Sequence, residues 1–292
     1  MKRLTAMFLT LLLLLSLSAC GTASQNQTDN TDSGNSQTEE PTVTDDGIET
    51  ESGFPFTLTT KDGAEVTFTH VPETILCTNV NTGDQLMALG LGDKIIATAN
   101  NNTQVAPEFR EEYEAIPQMD DKPSLETILD MEPDFVYGRS SAFSEKYNTE
   151  HDTLSQYGIM SLSSIEGYKL GADLEDVYQD FYNLGRIFQV EDKAEEIVSA
   201  MKEQVAAVEE AVAGQEATKV FVFDMAQEEG AYTCGNNFTS KLIEHAGGTN
   251  IFNDLDTTWA TVSWEEVVER AINNYEKQTR GEMTPDVLRP LV

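Results

Sequence analysis

The sequence predicts an α/β protein with two lobes on either side of a long helical region. Short apolar strands alternate with amphipathic helices between Thr74 and Leu162. Apolar residues then recur at helical spacing from Leu174 to Val212, and a new strand begins at Lys219. Alternating strands and helices favour a parallel sheet covered by helices on both faces, so we expect each lobe to have three layers, helix on sheet on helix.

Residues 1–19 have the features of a secretory signal peptide. Lys2 and Arg3 precede an apolar run, Met7–Leu17, that is too short to span a bilayer, which takes roughly 20 apolar residues. The segment Leu17–Cys20 resembles the bacterial lipobox, so we expect Cys20 to carry a lipid and to become the first mature residue. The alternative is an ordinary secretory signal with an incidental cysteine after it.

Residues 20–53 are expected to form a disordered linker behind this lipid. The stretch is dominated by Ser, Thr, Asn, Gln, Asp, Glu and Gly, and it has too little apolar surface to offset its ordering entropy. The formal net charge of −33 becomes −35 when the signal peptide removes Lys2 and Arg3 and no acidic residue. So acidic a surface repels nucleic acid and anionic lipid, and we expect membrane attachment through the lipid anchor alone.

The N-terminal lobe is assigned to residues 54–172. The segments Phe56–Thr60 and Val66–Thr69 alternate apolar and polar residues around Asp62-Gly63, which predicts a β-hairpin. The predicted strands and helices that follow are Thr74–Cys77, Lys94–Ala99, Phe135–Tyr137 and Ile159–Leu162 (strands), and Asp84–Leu89, the segment from the Ser124 cap to Asp130, and Thr149–Tyr157 (helices).

A connecting helical region, residues 173–214, leads to a C-terminal lobe, residues 215–292. The apolar period breaks between Gln189 and Asp192, which predicts two helices in the connection. In the C-terminal lobe, Lys219–Phe223 is predicted as a strand and Phe238–Ala246 as a helix stopped by a glycine pair.

Two short segments on either side of the connection are alike. Ser124-Leu125-Glu126 and Ser263-Trp264-Glu265 each combine a serine cap, a glutamate in the first helical turn and an apolar helix face. The repetition favours two similar lobes, although such caps are common in proteins.

Four segments, taken in order, resemble the solute-binding proteins of ABC importers for iron-siderophore complexes, cobalamin and haem. They are Asp84–Ala97, Ser124–Val136, Thr233–Gly235 with Leu242–Phe252, and Trp259–Val267. The resemblance runs from about Thr74 to Trp264. It implies two α/β lobes joined by one long helix, a ligand held in the cleft between lobes that move little, and a monomeric protein.

Ligand contacts are expected from loops at the carboxyl ends of the strands, where α/β sheets bind ligands. The candidate ligand-binding residues in these loops are Asn79, Asn81, Asn100, Tyr137, Arg139, Tyr232 and Trp259. Arg139 and Trp259 match positions that the family often fills with ligand-contacting side chains. An arginine suits carboxylate or catecholate oxygens, and an aromatic ring suits a flat chelate. Arg139 could equally be a plain surface residue, and Trp259 a core tryptophan.

The resemblance also implies that one glutamate on each lobe docks onto arginines of the importer's permease dimer. These glutamates would be Glu126 and Glu265, and two carboxylates at opposite ends of the molecule suit two basic pockets. Without the resemblance, each is simply a carboxylate that the helix macrodipole favours at a helix N-terminus.

No cofactor is expected apart from the lipid on Cys20, and no metal site. The histidines at positions 70, 151 and 245 share no metal-ligand spacing, and no nucleophile elbow, paired-histidine motif or phosphate loop predicts an enzyme. Cys77 and Cys234 lie far apart, so two buried free thiols are favoured over a disulfide. The expected ligand is a small-molecule metal chelate: a ferric siderophore, a corrinoid or haem.

The C-terminal lobe departs from the family pattern. Ile272–Tyr275 resembles the end of a strand whose beginning is missing, and Gly281–Val292 has no apolar period. We therefore expect an incomplete lobe that exposes a sheet edge and part of its core. The predicted function is an extracytoplasmic solute-binding lipoprotein of the cell membrane that delivers its ligand to an ABC importer. A sensor or adhesion lipoprotein on the same fold, or a non-functional fragment, is the alternative.

Overall fold

The computed structural model describes residues 53–60, 63–101, 104–119 and 122–278, with side chains as far as residue 271. These residues belong to one compact unit. The predicted signal peptide, Cys20 and the segment Gly281–Val292 lie outside the described ranges, as does the linker up to residue 52. None of the described helices is long and apolar enough to cross a membrane.

A β-hairpin opens the described chain. Strands β1 (Phe56–Thr59) and β2 (Glu65–Phe68) pair antiparallel, with Phe56 opposite Phe68, which confirms the prediction from the alternating pattern. Phe56 and Phe68 are buried, and their rings stack with centroids 5.3 Å apart. Phe68 also meets the ring of Phe135, with centroids 6.0 Å apart, so the hairpin packs onto the main sheet through aromatic contacts.

The main sheet has five parallel strands in the order β5-β4-β3-β6-β7. The strands are β3 (Ile75–Thr78), β4 (Ile95–Ala99), β5 (Gln118–Met119), β6 (Phe135–Gly138) and β7 (Met160–Ser163). Four of them were predicted, with ends that differ by one residue; the two-residue β5 was not. The strand order changes direction between β3 and β6, and open α/β sheets bind ligands beyond the carboxyl ends of the strands at such a point.

Helices cover both faces of this sheet, as predicted. They are α1 (Val80–Ala88), α2 (Arg110–Ala115), α3 (Leu125–Met131) and α4 (His151–Gln156). One buried core includes Leu86 of α1 and Tyr113 of α2, whereas the core on the other face includes Ile128 of α3 and Leu154 of α4. The first part of the chain is therefore a three-layer αβα structure.

Two helices follow the sheet: α5 (Leu174–Phe188) and α6 (Glu191–Val212). The predicted break between them is confirmed, because Gln189 adopts a left-handed conformation with φ 55°. A Cβ on Gly185 would lie 2.8 Å from the Cβ of Ala194, so the glycine permits a close approach of α5 and α6. Ala194 and Val198 are buried in the first core, while the rest of α6 is half-buried or exposed.

The last part of the chain combines short strands with two helices. The elements are β8 (Thr218–Val220), β9 (Met225–Gln227), β10 (Gly230–Cys234), α7 (Phe238–His245), β11 (Gly248–Asn250), β12 (Trp259–Val262) and α8 (Trp264–Gln278). Strands β12, β10 and β9 form an antiparallel sheet, and β11 pairs parallel with β8. The predicted α/β character is confirmed, but this part does not repeat the parallel sheet of the first.

Two sequence predictions for this part are wrong. The strand predicted at Lys219–Phe223 ends at Val220, because Asp224 N–H turns back to the carbonyl of Tyr232 and the chain then enters the β9–β10 hairpin. The segment Ile272–Tyr275 lies within α8 and is not a strand. The proposed lobe borders at residues 172 and 214 stay predictions.

A row of large apolar side chains is exposed in this last part. The exposed fractions are 53% for Phe223, 49% for Met225, 47% for Trp264 and 53% for Val268. The rings of Phe223 and Trp264 contact each other with centroids 6.0 Å apart. Exposed core residues are what the predicted incompleteness of this lobe implies, and the incompleteness itself stays a prediction.

Candidate functional site

A cleft of about 370 Å³ lies beyond the carboxyl ends of β3 and β6, at the point where the strand order changes direction. The described residues that line it come from the segments directly after β3, β6 and β7, including the first turn of α1, on one wall, and from the start of α7 and of β12 on the other. They are Asn79, Asn81, Arg139, Glu166, Gly167, Asn237, Phe238, Thr239, Thr258 and Trp259. Its volume is in the range of small-molecule sites.

The wall formed by the main sheet is tied together by side-chain contacts across the loops. The amide N–H of Arg139 donates to Oδ1 of Asn79 at 3.4 Å, and Nδ2 of Asn81 donates to Oε1 of Glu166 at 3.1 Å. Nη2 of Arg139 lies 3.5 Å from Oε2 of Glu166. Three loops that are distant in sequence therefore share one hydrogen-bonded network.

The loop that carries Glu166 is anchored from below by a buried carboxylate. Both carboxylate oxygens of Asp180, on α5, accept from the backbone N–H of Ile165 at 3.0 Å, and Asp180 is fully buried. Burial raises the pKa of Asp180 well above its ordinary value; the Ile165 hydrogen bond opposes this shift, and the nearby Glu166 carboxylate adds to it. Glu166 is thus held on a short turn with a defined position.

The opposite wall presents an aromatic face and an ordered helix start. Trp259 stacks on Tyr232 with ring centroids 5.5 Å apart and an interplanar angle of 15°. Asn237 caps α7 by accepting from Ser240 N–H at 3.2 Å, and its Nδ2 donates to the carbonyl of Thr258 at 3.0 Å. These contacts of Trp259 and Asn237 are made within the last part of the chain.

The structure brings four of the seven predicted ligand-binding residues to the cleft: Asn79, Asn81, Arg139 and Trp259. Tyr232 is not among the residues that line the cleft, but its ring stacks on that of Trp259. Trp259 is partly exposed at the cleft, and its role as a ligand contact stays a prediction.

Two predicted residues are placed elsewhere. Tyr137 is fully buried, and its hydroxyl donates to Oε1 of Gln85 at 2.6 Å. Burial raises the pKa of this hydroxyl well above its ordinary value. Asn100 follows β4, where its N–H donates to the carbonyl of Met119 at 3.2 Å, and it is not among the residues that line the cleft. Neither side chain is therefore among those that line the cleft.

Several cleft residues were not predicted: Glu166, Gly167, Asn237, Phe238, Thr239 and Thr258. Glu166 follows β7, so the rule that selects loops at strand ends would have found it. Asn237 is signalled as the N-cap of the helix predicted at 238–246. Gly167 lies in the same turn as Glu166, whereas Phe238, Thr239 and Thr258 have no signal in the sequence, because they reach the cleft through the packing of β12 and α7.

The two predicted docking glutamates occupy equivalent positions. Ser124 caps α3 by accepting from Thr127 N–H at 3.4 Å, and Ser263 caps α8 by accepting from Glu266 N–H at 3.1 Å. Glu126 and Glu265 are each the second residue of their helix, and both are exposed. The repeated cap seen in the sequence therefore corresponds to a repeated local structure.

Cys77 and Cys234 are buried free thiols, in agreement with the prediction. Burial raises the pKa of Cys77 to about 12, so its thiol stays protonated at neutral pH. Within the described ranges, no group of three or more His, Cys, Asp or Glu side chains is arranged to hold a metal ion.

Comparison with known proteins agrees with this geometry. The family model for periplasmic binding proteins matches residues 75–273. YvrC, a substrate-binding lipoprotein of an ABC transporter in Bacillus subtilis, is 24% identical over 220 residues, covering 74% of this chain and 67% of the relative. The vitamin B12-binding protein of Vibrio parahaemolyticus is 25% identical over 183 residues, covering 63% of this chain and 62% of the relative.

A solved structure shows the same fold. The protein of an ABC-type Fe³⁺-hydroxamate transport system from Saccharomonospora viridis matches with a TM-score of 0.63 and 28% identity, covering 74% of this chain and 77% of that one. The chain spans about two thirds of the length of the curated relatives named above. The family match covers the main sheet, the connecting helices and both walls of the cleft, and the chain belongs to the periplasmic binding protein family.

Proposed function

We propose that this chain is an extracytoplasmic solute-binding lipoprotein that captures a metal chelate in the cleft and delivers it to an ABC importer. The observation that carries the proposal is the cleft itself. It lies at the switch point of the sheet, and its two walls come from parts of the chain separated by α5 and α6. A ligand held there would contact both parts at once.

The proposed ligand is an iron-siderophore, cobalamin or haem-type chelate. Relatives are named for vitamin B12 and Fe³⁺-hydroxamate, which supports this class. The cleft combines the amides of Asn79 and Asn81 with one half-buried tryptophan, Trp259. Such groups suit a ligand with a polar periphery and a flat apolar face.

Delivery to the permease would use Glu126 and Glu265. Each carboxylate is exposed at the start of a capped helix, so each can be reached by an arginine of a partner without rearrangement of the chain. The lipid proposed on Cys20 would keep the protein, as a monomer, next to the importer on the outer face of the membrane. The proposal assigns no catalytic step to the chain.

The test is a ligand titration read by tryptophan fluorescence. The chain has two tryptophans, and only Trp259 lines the cleft, whereas Trp264 packs on Phe221 and Phe223. The purified full chain with Trp264→Phe therefore reports on the cleft alone. We expect ferric trihydroxamate, cyanocobalamin or haem to quench this fluorescence in a saturable manner.

The matched variant Trp259→Phe keeps Trp264 as reporter, and we expect it to bind the same chelate more weakly, because the cleft loses its indole ring. If none of the three chelates quenches the Trp264→Phe protein in a saturable manner, the proposed function is wrong. Equal affinity in both variants would place the ligand away from Trp259 and would also contradict the proposal.

A further inference from the structure

The charges that line the cleft are already paired with each other. Among the described lining residues, Arg139 is the cationic side chain and Glu166 the anionic one, and Nη2 and Oε2 lie 3.5 Å apart. The carboxylate thus offsets the charge of the guanidinium before any ligand arrives, and the pair contributes no net charge. A lone arginine would favour an anionic ligand, but a paired arginine does not.

Glu166 is built into the wall and cannot simply swing away from Arg139. Its side chain is 11% exposed, against 43% for Arg139. Its Oε1 accepts from Nδ2 of Asn81 at 3.1 Å and from the hydroxyl of Ser164 at 3.5 Å. Displacing the carboxylate would break these hydrogen bonds, and Asp180 holds the backbone of the same turn through Ile165 N–H.

The described residues of the other wall add no positive charge. Its lining residues are Asn237, Phe238, Thr239, Thr258 and Trp259, which are all neutral. The formal net charge of the chain is −33, so the field of the whole protein disfavours an anion that approaches the cleft. An anionic ligand that approaches Arg139 would also approach the Glu166 carboxylate beside it. The repulsion between the two negative charges would weaken binding of that ligand.

We propose that the cleft selects metal chelates without net negative charge, because Glu166 neutralises Arg139 in advance. The ligand class is a neutral or singly cationic chelate with amide or hydroxamate groups at its periphery. Ferric trihydroxamates and cobalamins belong to this class, and ferric tricatecholates and haem with ionised propionates do not. The inference rests on the proposed function and narrows it.

The test compares chelates of different charge on one reporter, the full chain with Trp264→Phe. The probes are ferrichrome, which is neutral, ferrioxamine B, which is singly cationic, cyanocobalamin, which is neutral, ferric enterobactin, which is triply anionic, and haem. We expect at least one neutral or cationic probe to bind more than about tenfold tighter than both anionic probes at low ionic strength.

The variant Glu166→Gln releases Arg139 while it keeps a side chain of the same size. We expect it to raise the ratio of the affinity for ferric enterobactin or haem to the affinity for the best neutral probe by about tenfold. The matched control is Glu145→Gln, an exposed glutamate outside the cleft, which should leave all affinities unchanged. Circular dichroism melts of each variant check that it is folded.

A second variant keeps the test decisive if Glu166→Gln does not fold. Arg139→Gln leaves Glu166 without its cation, and we expect the preference for ferrioxamine B over ferric enterobactin to increase. Two results would overturn the charge selection. One is a wild-type protein that binds an anionic probe as tightly as the neutral probes. The other is a ratio of anionic-probe to neutral-probe affinity that neither variant changes. If no probe binds at all, the proposed function fails and the inference falls with it.

Discussion

His245 is the point at which three helices of the connection and the last part of the chain are joined. The side chain lies on α7, and its Nε2 and Nδ1 lie 2.7 Å from Oδ1 of Asp173, the N-cap of α5, and 2.6 Å from Oε1 of Glu209, on α6. Both ring nitrogens can donate only in the imidazolium form. We predict that this contact makes the stability of the protein depend on pH.

The perturbation is His245→Gln, which removes the charge and keeps a hydrogen-bond donor. A hydrogen bond to a charged group contributes about 1.5–3 kcal/mol when it is buried, and an exposed ion pair less than about 1 kcal/mol. The His245 side chain is 28% exposed, so we assign about 1 kcal/mol to each contact and about 2 kcal/mol to both. For a protein of this size the loss lowers the Tm by about 6 °C.

The pKa shifts set the direction of the effect. Burial acts to lower the pKa of His245, but the hydrogen bonds to Asp173 and Glu209 outweigh it and raise the pKa above 6.5. The stabilisation is therefore complete below the unfolded-state pKa and is lost as the pH rises through the folded-state value. Burial likewise opposes the net lowering of the Asp173 pKa, which comes from hydrogen bonds to His245 and Leu174 N–H and from the nearby Lys241 charge.

The contribution of the Asp173 carboxylate to folding stability is therefore present above about pH 4. It is lost as the pH falls through the lowered folded-state pKa of this group. Thermal melts by circular dichroism between pH 4 and pH 9 measure the effect. We expect the largest Tm difference between wild type and His245→Gln near pH 5.5, and a much smaller difference at pH 9.

The control is His70→Gln. His70 is 48% exposed at its side chain and lies 3.8 Å from the carboxylate of Asp134, so we expect a loss below about 0.5 kcal/mol. A Tm difference for His245→Gln that is the same at pH 5.5 and pH 9, or that is no larger than for His70→Gln, would refute the reasoning.

Three further predictions concern the surface and the buried carboxylate. Glu126→Lys and Glu265→Lys should each reduce importer-dependent uptake of the bound chelate by about tenfold, because each removes a docking carboxylate. Each should cost less than about 1 kcal/mol of stability, because the folded chain loses only a macrodipole contact. The control is Glu111→Lys, which is also exposed in a first helical turn, and uptake at the wild-type rate by both docking variants would exclude docking. Because the pKa of Asp180 is raised in the folded state, wild-type stability should fall as the pH rises from about 4 toward the raised value. The Tm of Asp180→Asn should depend less on pH in that interval. Parallel Tm curves for the two proteins would contradict this prediction. Phe223→Ser should lower both the fluorescence of the apolar dye ANS and the self-association measured by light scattering, because it removes a ring that is 53% exposed. Unchanged dye fluorescence would show that the exposed apolar row does not bind the dye.

The main sheet was predictable because its strands are buried on both faces. All four residues of β3 and of β6 are buried, and such strands are continuous apolar runs in the sequence. The helix α1 was predicted to start at Asp84, four residues late, because Asn79 to Gly83 has the composition of a turn. That difference places Asn81 in the first helical turn, with its amide directed to the Glu166 carboxylate.

The cleft could be predicted only in part, because its contacts join residues that are far apart in sequence. Asn81 and Glu166 are separated by 85 positions, and nothing in either neighbourhood indicates their hydrogen bond. The sequence pattern also did not show in which direction a side chain at the end of a strand points. Tyr137 precedes the cleft loop, but its hydroxyl turns to Gln85 in the core.

The antiparallel sheet of the last part is made of strands of three to five residues, too short for a clear period. The stacking of Trp259 on Tyr232 depends on the register of this sheet. Tyr232 lies opposite Thr261 and Cys234 lies opposite Trp259, so the two rings are diagonal neighbours on adjacent strands. Strand pairing of this kind is decided by packing, and the sequence alone could not show it.

Because α6 contacts α5 closely at Gly185 and Ala194, a small tilt of α6 at this contact displaces its far end. The distance along the helix from Ala194 to Val212 is about 27 Å at 1.5 Å per residue, so a tilt of about 5° at the near end moves the far end by about 2 Å. At that far end Val212 packs against Gly247, directly after α7, the helix whose start forms part of the cleft. A substitution at Gly185 would therefore displace the end of α6 that packs beside α7, although Gly185 itself is not among the residues that line the cleft.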